Sequence, residues 1–146
     1  MKINMDISPE YDDLEINIKC KKLTPEIERL LSNIRMMEHN LPVSKGDETF
    51  LLPIEEIGYL ESVDRKCFVY TTNEVYESEL KLYEMEEQLK EQNFIRINKS
   101  CILNMKMIGS LKADIDRKLR IRLKNGEQLI ASRMYAEDLR KALGLK

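Results

Sequence analysis

Residues 118–124 alternate without a break: Leu119, Ile121 and Leu123 fall on one face, Lys118, Arg120, Arg122 and Lys124 on the other. That is the period of a half-buried strand. Asn125-Gly126 supplies a type I′ turn, and Gln128-Leu129-Ile130-Ala131 returns, which completes a hairpin. Shorter runs at 50–52, 57–62, 67–70, 75–78 and 107–111 read as further strands, with Thr71-Thr72-Asn73-Glu74 as a hairpin turn between the third and fourth. Residues 94–104 also alternate and read as one half-buried strand.

The helical period marks three other segments. Thr24-Pro25-Glu26 opens one, with Ile27, Leu30, Leu31, Ile34 and Leu41 as its apolar stripe, Met37 extending it and Pro42 ending it. Ser78 caps a second over 79–92, with Leu82, Met85 and Leu89 inward and Asn93 as the stop. Ser132 caps a third over 133–143, packed through Tyr135, Leu139 and Leu143 and stopped at Gly144. Leu14-Glu15-Ile16-Asn17-Ile18-Lys19-Cys20 reads as a strand ahead of the first helix. The fold class expected is mainly β (α+β): small antiparallel sheets with short helices over 49–146. A strand–helix extension over 1–48, suited to docking, dimerisation or regulation, precedes them across a linker at 44–48.

Composition narrows the classes. The chain has 146 residues, 42% hydrophobic and 34% charged, which is globular rather than disordered. No apolar run approaches the roughly 20 residues of a membrane span, and the first residues lack a secretory signal. Cys20, Cys67 and Cys101 are odd in number and far apart, so a cytoplasmic chain with reduced thiols is expected. One histidine, His39, five glycines and no recognised catalytic motif argue against an enzyme, a cofactor, a metal or a small-molecule substrate. The nine Tyr and Phe fall mostly on apolar faces, which disfavours a single-stranded RNA binder that stacks bases.

Charge is segregated. Residues 1–48 carry 7 Lys/Arg against 10 Asp/Glu, residues 49–89 carry 3 against 10, and residues 90–146 carry 14 against 6. The net −2 thus hides a balance of +8 in the last segment, the asymmetry expected of a face that meets phosphate. Within 94–104 the polar positions are Arg96, Asn98, Lys99, Ser100 and Asn104, donors with no carboxylate among them. Arg and Lys pair with phosphate, and with Asn they also reach base edges. The competing reading is an ordinary solvated face, or a protein-interaction module whose basic face binds an acidic partner.

Several blocks then occur in order: Ile54-Glu55-Glu56-Ile57-Gly58-Tyr59-Leu60-Glu61-Ser62, Phe94-Ile95-Arg96-Ile97-Asn98-Lys99-Ser100, Asn104, Gly126, and Ser132-Arg133 followed by Tyr135. Over about 50–146 they resemble the LytTR DNA-binding domain of bacterial transcription regulators. Asn98 departs from that pattern, which often has His there. The resemblance implies an elongated fold of antiparallel sheets that reads successive major grooves of double-stranded DNA through loops between strands, at paired repeats and as a homodimer. By resemblance the contacts fall on Arg65 and Lys66, on Arg96, Asn98, Lys99, Ser100 and Asn104, and on Ser132 and Arg133. Too little chain precedes the domain for a receiver, so regulation through dimerisation or through a membrane-bound inhibitory protein is expected instead. Lys106, Lys112, Arg117 and the hairpin cations are candidates for backbone contacts.

Overall fold

Ten short strands and three α-helices carry the chain in the computed structural model, which describes residues 1–145. Backbone contacts divide it into two units, Met1–Arg35 and the residues from Met36 on. In the first unit, residues 1–24 form no hydrogen-bonded strand, so the strand expected at 14–20 is not made. Its alternation is intact, but no neighbouring strand is there to accept its backbone groups. Helix α1 (Pro25–His39) starts as its sequence dictates. The Ile27 N–H donates to Thr24 Oγ1 at 3.4 Å, and Glu26 and Glu28 sit at the positive end of the helix dipole.

In the second unit β1 (Asn40–Lys45) and β2 (Glu48–Pro53) form a hairpin closed around Gly46 and Asp47, with Lys45 opposite Glu48. The linker expected at 44–48 is therefore a hairpin turn. Gly46 takes φ +64°, a left-handed conformation that a side chain would strain. Leu41 and Val43 are buried strand residues, so Leu41 belongs to the sheet and not to the helical stripe. Pro42 lies between them with its side chain exposed, where the alternation of a strand puts it.

The remaining elements are β3 (Tyr59–Val63), β4 (Lys66–Tyr70), β5 (Val75–Ser78), α2 (Leu82–Leu89), β6 (Phe94–Asn98), β7 (Cys101–Asn104), β8 (Ile108–Ala113), β9 (Leu119–Leu123), β10 (Gln128–Ala131) and α3 (Arg133–Ala142). Helix α2 starts later than expected. Ser78 Oγ accepts from the Leu80 N–H in the turn before it, and the Glu84 carboxylate accepts from the Lys81 N–H at its first turn. All pairings are antiparallel: one seven-stranded sheet in the order β2-β1-β5-β4-β3-β7-β6, and a three-stranded sheet β10-β9-β8.

Alternation along β3 and β7 builds two cores on opposite faces of the large sheet. Leu60, Val69 and Ile102 meet Leu82, Met85 and Leu89 of α2 on one side. Tyr59, Ile97, Cys101 and Leu103 meet Leu119, Ile121, Leu123, Ala136 and Leu139 on the other. Strand β7 is covered on both faces and buries all four of its residues. Strand β9 keeps its cations exposed and its Leu, Ile and Leu buried, as its period demands.

Candidate nucleic-acid interface

The donor-rich stretch 94–104 is two strands and a tight turn, not one strand. Asn98 makes the bend. Its Oδ1 accepts from the Ser100 N–H at 2.9 Å and from Ser100 Oγ at 3.1 Å, a side-chain mimic of a backbone turn. A register shift between Arg96 and Asn98 adds a bulge just before it. Arg96 reinforces the turn from behind. Its guanidinium donates to the carbonyls of Asn98 (3.2 Å) and Lys99 and reaches Glu86 of α2 at 3.5 Å. Lys99 and Ser100 are left exposed at the tip. Nothing in the sequence neighbourhood of Glu86 marks it as the partner of Arg96.

Two other expected segments arrive at the same end of the unit. The Ser62 N–H donates to the Ser100 carbonyl at 2.8 Å, which lays the end of β3 beside the start of β7. Asp64 and Arg65 follow as a two-residue turn with φ of 50° and 67°, and Arg65 and Lys66 are exposed. From the other side, Asn98 Nδ2 donates to the Ile130 carbonyl at 3.2 Å and the Ser132 N–H to the Ile97 carbonyl at 2.8 Å. These bonds fix the β10–α3 junction against the Asn98 turn. The Ser132 hydroxyl makes no capping hydrogen bond, and Arg133 and Met134 are exposed. Among the described residues Arg65, Lys66, Lys99 and Arg133 form no ion pair, whereas Arg96 does.

A fourth cationic turn lies alongside. Ala113 faces Leu119, and Leu119 faces Ala131, so the β8–β9 connection holding Arg117 and Lys118 sits at the Ser132 end of the small sheet. Asp114 shapes it. Its Oδ1 accepts from the Ile115 N–H at 2.8 Å and its Oδ2 from Arg120 at 3.3 Å. The Ile115 N–H, and then the Arg120 guanidinium, hold its carboxyl below the ordinary carboxylate range.

Asn104 stands apart from the set. It is 2% exposed; Nδ2 donates to the Ile57 carbonyl at 2.8 Å and Oδ1 accepts from the Lys106 N–H at 3.0 Å. Its amide ties strands together and reaches no solvent. Burial pushes the Cys101 thiol up to about 12 and the Cys67 thiol to about 11, so neither supplies a thiolate near neutral pH. Among the described residues no group of three or more His, Cys, Asp or Glu is placed to hold a metal. No helix there is long and apolar enough to cross a membrane.

Comparisons with known proteins agree with this fold. The family model of the LytTr DNA-binding domain matches residues 47–144. The LytTr DNA-binding domain of a Bacillus cereus response regulator superposes with a TM-score of 0.70 at 28% identity, covering 73% of this chain and 98% of that one. Proteins of Staphylococcus aureus strains MSSA476 and bovine RF122, both named as uncharacterized HTH-type transcriptional regulators, are 25% and 26% identical over 147 residues and 99% of each chain. No helix-turn-helix accounts for that name among the residues described here, since five strands separate α1 from α2 and five more separate α2 from α3. With two thirds of its length matched to the domain, the chain belongs to the LytTR family of DNA-binding transcription regulators.

Proposed function

We propose that the end of the second unit carrying Arg65, Lys66, Lys99, Ser100, Ser132 and Arg133 reads double-stranded DNA in a sequence-specific way. Loops between strands enter the major groove, and the protein binds paired repeats as a dimer, with the residues ahead of the domain serving dimerisation. The observation that carries this reading is the meeting of three separate donor-rich segments through the Ser62–Ser100, Asn98–Ile130 and Ser132–Ile97 hydrogen bonds. Short turns with hydrogen-bonded backbones fix the points from which single, unpaired Lys and Arg side chains project, and such side chains suit guanine O6 and N7. Arg96 and Asn98 act behind that front as the frame of the turn. Asn104 lies deeper still and holds the strands.

Gel shift across salt is the test. Duplex affinity should fall by several powers of ten between about 50 and 200 mM salt and still discriminate between sequences. Lys99→Ala and Arg133→Ala should each weaken the preferred site by about 1–3 kcal/mol and relax its local preference. If both variants bind every sequence as the parent does, the reading fails. Native mass measurement with and without duplex DNA tests the dimer separately: a monomer in both states removes the paired-repeat part.

A further inference from the structure

The first unit leaves an apolar alternation uncovered. Ile3, Met5, Ile7, Leu14 and Ile16 are between 56% and 89% exposed, and Ile18 is exposed as well. Two segments, 1–7 and 14–20, thus carry alternating apolar positions that no described residue of the first unit buries. Uncovered apolar positions in such number point to an interaction partner.

Charge decides what fits it. Folding 1–7 back on 14–20 so that Ile3, Met5 and Ile7 face Ile18, Ile16 and Leu14 sets Lys2 against Lys19 and Asp6 against Glu15. Both are like-charge pairs, which destabilise an antiparallel ladder. The chain does not form that hairpin; it forms a local turn instead, with the Tyr11 N–H donating to the Ser8 carbonyl at 3.2 Å and the Tyr11 hydroxyl to Asp6 at 2.7 Å. Segment 14–20 laid antiparallel on a second copy of itself behaves in the opposite way. About a two-fold axis at Asn17, Ile16 faces Ile18, Leu14 faces Cys20, and Glu15 faces Lys19 twice. Every apolar position meets an apolar one and every charge its opposite.

We infer that residues 14–20 are a dimerisation strand that pairs antiparallel with the same strand of a second copy of this chain. The interface is isologous, as a two-fold dimer requires. A bare two-stranded ribbon is marginal in water; the pairing therefore needs a covering layer, and we assign that role to the apolar stripe Ile27, Leu30, Leu31 and Ile34 of helix α1. The inference deepens the dimeric part of the proposed function by naming the surface and its register.

A charge-exchange series on the full chain tests it, with mass measured by sedimentation in the absence of DNA. Glu15→Lys places two like pairs at the interface and should weaken the dimer about tenfold or more, and Lys19→Glu should do the same. The double exchange restores the complement and should return the dissociation constant to within about threefold of the parent. An equimolar mixture of the two single variants should form a heterodimer in preference to either homodimer. A parent that stays monomeric, single variants that dimerise as the parent does, or a double variant and mixture that recover nothing would each overturn the inference. Binding to a duplex with one repeat should be unchanged in all variants. Loss of that binding in the parent as well would count against the DNA reading and leave the mass result standing.

Discussion

Asn98, Asn104 and Arg96 share the chemistry that suits a base edge, yet each spends its hydrogen bonds inside the protein. Asn104 is the extreme case, buried with both amide ends engaged. Asn104→Ala should lower stability in urea unfolding by about 1–3 kcal/mol, because the Ile57 carbonyl and Lys106 N–H lose their partner. The thiols give a second check at the same scale. Cys67 and Cys101 are buried with raised pKa values, and Cys20 is exposed. At pH 8, and dilute enough for the chain to be monomeric, a soluble disulfide reagent should modify one thiol per native chain quickly and all three only after denaturation; dimerisation through residues 14–20 should slow the reaction of Cys20. The sign follows for alkaline stability: the unfolded thiols ionise near pH 8.5, the folded ones well above, so their contribution is full below that pH and falls as pH rises past it.

Turns decide the elements, and turns were the least legible part of the sequence. Strict alternation with Asn-Gly located β9 and β10 to within a residue, and the helical stripe located α3. The 94–104 stretch hides its turn because apolar residues flank Lys99 and Ser100 on both sides, although the unbroken run Cys101-Ile102-Leu103 belongs to a strand covered on both faces; only the side chain of Asn98, acting two residues ahead, announces the bend. Pro42 misled for a related reason, since a proline after a helical stripe looks like a stop and here it sits in a sheet. The β3–β4 turn offers a test of whether such turns serve shape or contact. Asp64 and Arg65 both take positive φ, a type I′ geometry that favours glycine at the second position. Arg65→Gly should relieve that strain and stabilise the fold by about 0.5–1 kcal/mol in thermal unfolding. The same change should weaken binding to the preferred duplex, so stability and affinity move in opposite directions. Affinity that rises with stability would make Arg65 a shape residue only.

Over the whole chain, a net charge of −2 gives little long-range attraction to a polyanion. Affinity must then come from the place where cations gather, at short range and in one orientation. The outer face of α2 carries the half-buried Glu84 and the exposed Glu87, on the core opposite the small sheet, so approach from that side is repelled. The small sheet presents a second cationic field on its exposed face: Lys112 and Arg120 lie near its Ser132 end, whereas Arg122, opposite Gln128, lies farther from the turns. If the turns alone meet the duplex, Arg122→Gln should leave both affinity and the salt slope within about twofold of the parent. Lys66→Gln, beside the β3–β4 turn, should then lower the slope by about one if its ammonium neutralises a phosphate. A uniform loss above about tenfold on every sequence from Arg122→Gln would show that the sheet face lies on the DNA as well. The footprint would then have to wrap from the turns onto β9, and the duplex would have to bend toward the small sheet to reach both.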